Sequence, residues 1–355
     1  MLSNHPLPRR RLGAGMLGLA LAGGLGGGLT GCADPLPARP APPDPAFAQP
    51  GPVDGAFVMS DGVLLPYRAW LPQAPPSRAA SGFPESPWAV MLALHGMNDS
   101  RDAWEIPGPA FAGAGIAVFA PDQRGFGDAP GRGRFAGPER MADDAADMAR
   151  TLRRRYPAAR LILLGESMGG AVLMVMATRP GAPRADGTVL IAPAVWSRSE
   201  MNVVMRVGLW FLAGAFPAMT NTGSIARVTA SDNRAALLRL SYDPLTIHGT
   251  RFDAVRGLVD LMDAAAVSAA AMPSPALVLY GGRDELIPPR ATAAAWRAFP
   301  PGVREAYYPA GYHLLLRDRD RASVLADVLA WIADPAVPLP SGADRAAAAW
   351  LAAAP

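Results

Sequence analysis

The segment that most constrains this chain is Leu161-Ile-Leu-Leu-Gly165-Glu166-Ser167-Met168-Gly169-Gly170, which continues into the apolar helical pattern 171–178. A run of aliphatic residues of strand type enters Gly-x-Ser-x-Gly and leaves it as a helix, with no loop between. Glycines at these positions permit a sharp, strained turn that lifts a serine hydroxyl above the carboxyl edge of a sheet. The helix starting there directs its first amides, and the positive end of its dipole, toward negative charge developing beside the serine. A structural serine in a glycine turn is the alternative reading of the motif alone; the flanking strand and helix favour an exposed nucleophile.

The rest of the chain repeats this rhythm. Short apolar runs at Trp88–Leu94, Ile116–Ala120, Leu161–Leu164, Thr188–Ala192, Ala276–Tyr280 and Arg304–Tyr308 are mostly continuous rather than alternating, as in strands covered on both faces. Helical patterns lie at about 139–155, 168–178, 290–298 and 318–333. Alternating strand and helix predicts an α/β fold: a mostly parallel central sheet with helices on both faces. Two earlier runs, Ala56–Met59 and Val63–Trp70, flank Ser60-Asp61-Gly62 and predict a hairpin. The stretch from Pro72 to Pro87 reads as a loop, and the Ala-rich segment 343–354 as a peripheral helix. The core is expected over 53–193 and 273–340, followed by a tail, 341–355. The interval 194–272 shows helical patterns without a clear strand and is too long for an ordinary loop, so it predicts a helical cap.

A serine nucleophile needs a base, and the chain has four histidines. His5 lies near the N-terminus, His95 follows an early strand and His248 falls in the cap. His313, in Gly311-Tyr312-His313-Leu314-Leu315 after a strand and before the last core helix, is the natural base; a buried structural histidine is the alternative. An orienting acid is expected on a loop after a strand, between serine and histidine in chain order. Asp284, in Gly281-Gly282-Arg283-Asp284-Glu285, meets that description, with its neighbour Glu285 competing. Asp243, in Tyr242-Asp243-Pro244, reads as a turn former. The turn Gly96-Met97 after the first core strand can present the Met97 amide beside that of Met168, making two donors for an oxyanion. His95 then shapes the loop rather than reacting.

With these pieces in order, the chain resembles the α/β-hydrolases, and among them the family of monoacylglycerol lipases, lysophospholipases and S33 serine aminopeptidases. The matching motifs are His95-Gly96-Met97, Pro121-Asp122-Gln123-Arg124-Gly125-Phe126-Gly127, Gly165–Gly170, Gly281-Gly-Arg-Asp284 and Gly311-Tyr-His313, together spanning about 55–335. The resemblance implies Ser167 as nucleophile, His313 as base, Asp284 as acid and the amides of Met97 and Met168 as oxyanion hole. It also implies a lid over the substrate pocket and no metal or organic cofactor. Many monoacylglycerol lipases carry a second histidine soon after the first His-Gly; here Asn98-Asp99-Ser100 stands instead. In the 122–127 loop, an acidic and a basic residue are expected to organise a glycine-rich turn beside the site.

The cap carries Met201, Val203, Val204, Val207, Trp210 and Phe211, an apolar stripe that either packs on its own domain or lines an acyl pocket and meets lipid. Only Glu200 and Asp232 interrupt its first half, which favours a lipid ester over the cationic substrate of an aminopeptidase. An amidase on the same triad is the alternative enzyme, and a lipid-binding envelope lipoprotein the non-enzymatic one.

The charge balance points elsewhere in the chain. All 33 basic residues are arginine, against 30 acids. Residues 1–31 hold Arg9, Arg10, Arg11 and no acid, so the remainder is formally neutral, which disfavours a nucleic-acid partner. Three arginines, the uncharged stretch Leu12–Thr30 and then Gly31-Cys32 resemble a bacterial lipoprotein signal, with Cys32 as the lipid-bearing N-terminus. An uncleaved membrane span is the alternative, weakened by eight glycines in 19 residues. The arginine run also suits twin-arginine export. The Pro-rich stretch 32–52 reads as a semi-rigid tether that would hold the folded body away from a membrane of the cell envelope.

Overall fold

The computed structural model describes residues 53–72, 87–222 and 228–354. The expected leader, Cys32, the tether and most of the Pro72–Pro87 loop lie outside them.

The chain enters through a hairpin, β1 (Val53–Val58) and β2 (Leu64–Trp70), closed at Gly62 with φ of 80°. Next come β3 (Ala89–Leu94), α1 (Pro107–Gly113), β4 (Ile116–Pro121), α2 (Pro138–Arg155), β5 (Arg160–Glu166), α3 (Met168–Ala177) and β6 (Gly187–Ile191). The long interval holds α4 (Val203–Ala215), β7 (Thr220–Asn221), α5 (Arg234–Tyr242), β8 (Thr250–Arg251) and α6 (Phe252–Ser268). The chain closes with β9 (Ala276–Gly281), α7 (Pro289–Ala298), β10 (Val303–Tyr308), α8 (Arg321–Ala333) and α9 (Ala343–Ala353).

Eight strands form one sheet in the order β1-β2-β4-β3-β5-β6-β9-β10. The first two are antiparallel additions, and the six from β4 to β10 run parallel. Every residue of β3, β4, β6 and β9 is buried, which is why those segments lack alternation. One apolar core lies between the sheet and α2, α3 and α7; a second, with Phe111 of α1 and Trp331 of α8, fills the other face.

Three departures from the sequence pattern have physical causes. Helix α1 was masked by its Pro-Gly-Pro start, yet a proline in the first turn sacrifices no intrahelical hydrogen bond. Helix α8 starts at Arg321 rather than 318, because 314–318 form a separate turn, with the Arg317 and Asp318 amides both on the Leu314 carbonyl. In the long interval, β7 and β8 pair as a two-residue ribbon, too short to leave an apolar run. Helix α6 ends that interval by packing on α3, burying Val259, Leu261 and Ala265, and α4 rests on α6.

The register aligns the strand ends. Leu94 pairs with Gly165, Glu166 with Ile191, Ile191 with Leu279, and Gly281 with Tyr308. The loops following β3, β5, β9 and β10 therefore open on one carboxyl edge of the sheet.

Candidate active site

Ser167 is the first residue beyond β5 and the N-cap of α3, with φ of 53° and ψ of −114°. A non-glycine residue there stores on the order of 1–3 kcal/mol of strain, so its surroundings must impose the conformation. Its N–H donates to the Ile191 carbonyl at 2.9 Å, and its own carbonyl accepts from the Ala171 and Ala194 amides at 3.1 and 3.0 Å. A Cβ at Gly165 would stand 2.6 Å from the Gly169 carbonyl carbon, and one at Gly169 only 2.2 Å from the Leu94 oxygen. Those glycines let β3, β5 and α3 approach closely enough to form the elbow. Ser167 is half-buried amid buried neighbours.

His313 and Asp284 meet directly: imidazole Nδ1 lies 2.7 Å from Asp284 Oδ2, with both residues buried. The other carboxylate oxygen accepts from the Leu286 and Ile287 amides at 2.7 and 2.9 Å. With both Asp284 oxygens accepting, His313 Nδ1 is the donor, so Nε2 is the ring's free acceptor. Burial opposes the imidazolium, but the Asp284 charge and hydrogen bond outweigh it, with Glu166 adding and Arg317 subtracting. The His313 pKa is raised above its ordinary value. Gly281 makes the meeting possible, since a Cβ there would fall 2.4 Å from the Tyr312 oxygen.

The competing residues are placed elsewhere. Glu285 is exposed and accepts from the Thr229 amide at 2.7 Å. Asp243 accepts the Leu245 amide at 2.8 Å, the turn expected of it, and faces Arg239. His248 lies in the interval, two residues before β8, and His5 is outside the described residues.

His95 shapes its loop, as expected. Its Nε2 must accept the Gln123 N–H at 3.1 Å, so Nδ1 carries the proton and donates to the Gly96 carbonyl at 2.8 Å. Complete burial drives its pKa down and keeps it neutral. Gly96 lies against the elbow, where an added Cβ would sit 3.3 Å from Ser167 Cβ, and Met97 is the next residue of that turn. Met168 opens α3, and a first-turn amide has no intrahelical acceptor.

Asp122 organises the 122–127 loop by accepting from the Arg101 and Asp128 amides, and a Cβ at Gly127 would collide with its carboxylate. Arg124 does not join it; it pairs with Asp144 of α2.

Sequence reasoning missed a buried ion cluster behind the elbow. Arg317 donates to Asp99 Oδ2 at 2.8 Å and to Glu166 Oε1 at 2.5 Å. Glu166 was visible between Gly165 and Ser167, but nothing local identifies which arginine neutralises it.

The interval 194–272 is tied to these loops at several points. The Leu314 amide donates to the Ala230 carbonyl, the Ser231 hydroxyl to Asp318, and the Asn233 amide group to the Arg317 carbonyl. On the opposite side, Asn98, at φ of 63°, donates to Thr250 Oγ1 at 2.6 Å and accepts the Ile247 amide at 2.8 Å. The outer face of α4 exposes Val203, Val204, Val207, Trp210 and Phe211, with Trp210 73% accessible. Among the described residues, no group of three or more His, Cys, Asp and Glu side chains could hold a metal ion.

Residues 85–320 match the family model described as serine aminopeptidase, S33. A monoacylglycerol lipase of Mycolicibacterium smegmatis is 26% identical over 275 residues, covering 76% of this chain and 93% of that protein. The monoglyceride lipase of Mus musculus is 28% identical over 289 residues, covering 78% and 88%. Among solved structures, a soluble variant of the Saccharomyces cerevisiae monoglyceride lipase bound to a substrate analogue superposes with a TM-score of 0.66 at 19% identity. That match covers 82% of this chain and 98% of the other. A Paleococcus ferrophilus monoacylglycerol lipase gives 0.61 at 19% identity, covering 76% and 98%.

Proposed function

Because the chain belongs to the serine aminopeptidase S33 family, within the α/β-hydrolase fold, we propose that it hydrolyses carboxylic esters of monoacylglycerol or lysophospholipid type. The observation that carries this reading is the buried His313–Asp284 pair, 2.7 Å apart, on the same sheet edge as the strained Ser167 elbow. His313 Nε2 takes the Ser167 proton as Oγ attacks the ester carbonyl. Asp284 holds the ring tautomer and stabilises the imidazolium, and the Met97 and Met168 amides receive the oxyanion. The imidazolium then protonates the departing alcohol. Water, deprotonated by the same base, releases the fatty acid and restores Ser167.

Substrate class rests on the relatives named above and on the covering segment. No acid falls between Glu200 and Asp232, so nothing in 201–231 would meet a substrate ammonium, whereas the apolar face of α4 suits acyl chains or a lipid surface. The membrane enters through the N-terminus, where Cys32 is proposed as the lipid-bearing residue of an envelope protein.

A fluorophosphonate probe should label wild-type protein and leave Ser167→Ala unlabelled. A chain-length series of monoacylglycerols and lysophospholipids, run beside aminoacyl anilides, tests the substrate class: faster anilide turnover would replace the ester reading with an amidase. Mass spectrometry of the mature N-terminus tests anchoring, since an unmodified Cys32 within an intact leader would overturn it.

A further inference from the structure

Two loops and the end of β5 meet in the Asp99–Arg317–Glu166 cluster. Asp99 closes the turn that begins at Gly96, its amide donating to the Gly96 carbonyl at 3.3 Å. Glu166 is the residue before Ser167, and Arg317 follows His313 by four positions in a turn fixed by the Arg317 amide on the Leu314 carbonyl at 2.7 Å. All three side chains are at most 8% exposed. The guanidinium spans the two carboxylates with separate nitrogens, Nη1 to Asp99 and Nη2 to Glu166. A lysine, as a point charge without a planar fork, cannot reproduce this geometry.

Formally, two carboxylates against one guanidinium leave −1 in a water-poor site; burial raises the Glu166 carboxyl, and the Arg317 guanidinium opposes that rise. A buried excess charge is costly unless it acts on a nearby cation. The cation that forms here during the proposed reaction is imidazolium at His313. The charged groups acting on that ring are Asp284 from the loop after β9, Glu166 from the end of β5, and Arg317 from the histidine's own loop.

We propose that Arg317 and Glu166 are positioning residues for the proposed ester hydrolysis: Arg317 locks oxyanion turn, elbow and base loop into one geometry, and Glu166 is a second anion supporting the imidazolium. This rests on the Ser167–His313–Asp284 reading above. Arg317 sets distances between loops, and Glu166 sets charge at the base, so the two contributions separate experimentally.

Glu166→Gln keeps an oxygen for Arg317 but cancels the net charge. Its acidic limb in the kcat/KM profile should move to lower pH, because the base loses an anion that favours its protonated form. Arg317→Lys keeps the charge and loses the fork. It should leave the limb where it is and lower kcat roughly tenfold to a hundredfold, the scale of small misplacements in a reacting constellation. Both profiles are measured on a soluble short-chain ester, with thermal melts verifying that each variant is folded. An unmoved limb in Glu166→Gln, or wild-type kcat in Arg317→Lys, overturns the proposal. If instead the wild type turns over no ester, the failure lies in the proposed function.

Discussion

Asp284 holds His313 with one carboxylate oxygen while its other oxygen is fixed by two backbone amides, so the acid cannot rotate away from the imidazole. The geometry fixes the neutral tautomer with Nε2 unprotonated, which is the form a general base requires.

Replacing Asp284 by Asn should therefore lower kcat by about three to four orders of magnitude, since an amide can donate to Nδ1 and stabilise the wrong tautomer. Because the Asp284 charge is a principal cause raising the His313 pKa, the acidic limb of kcat/KM in the residual activity should also shift downward. Steady-state kinetics across pH measures both; an unchanged limb contradicts the assignment.

This pair was legible in the sequence because each member sits in a local pattern: strand, glycines, acid for Asp284, and strand, Gly-Tyr, histidine for His313. Ser167 was legible for the same reason, since its elbow is built from contiguous residues. The cluster behind it was not. Arg317 reaches Asp99 across 218 positions and Glu166 across 151, and with 33 arginines no spacing rule selects the partner. The cap interval was legible as helical, but not the packing of α6 on α3, which depends on tertiary contacts rather than periodicity. Arg124 turned to Asp144 instead of its loop neighbour Asp122 because α2 presents that carboxylate at 2.7 Å.

Close approach at the elbow sets a stability contrast between two glycines. Gly169→Ala forces a methyl against the Leu94 carbonyl, a backbone atom that cannot yield, and should destabilise by about 2–3 kcal/mol. The melting temperature should fall by roughly 5–10 °C, with activity lost. Gly214→Ala in α4 meets nothing within 4 Å and should hold or raise stability by up to about 1 kcal/mol. Equal melting temperatures for the two variants would contradict the packing argument.

A second carboxylate cluster ties α5 to the turn before α1. Arg239 reaches Glu105 at 2.6 Å and Asp243 at 3.4 Å, and Asp102 lies beside them. Burial first, and the neighbouring Asp102 and Asp243 charges with it, push the Glu105 carboxyl up to about 6, against the pull of Arg239. Its folded pKa exceeds the ordinary 4.5, so the fold favours the protonated acid. Its contribution to stability is fully present below about pH 4.5 and is lost as pH rises through about 6, on the order of 2 kcal/mol. Glu105→Gln should flatten the stability profile across that window in urea titrations; a profile parallel to wild type would show that Glu105 does not titrate there.

The apolar ridge of α4 gives a test of where the substrate is met. Val203, Val207 and Trp210 repeat along one side of the helix, with Val204 and Phe211 beside them, and all five are exposed. Because Trp210 is 73% accessible, Trp210→Glu removes little packing and should leave the melting temperature within about 2 °C of wild type. A charge at this point opposes seating of the ridge in a lipid surface. Hydrolysis of long-chain monoacylglycerol in vesicles should therefore fall severalfold, while turnover of a soluble butyrate ester stays at the wild-type rate. If both activities fall together, Trp210 shapes the pocket rather than the encounter with lipid. If neither falls, the ridge has no part in reaching substrate.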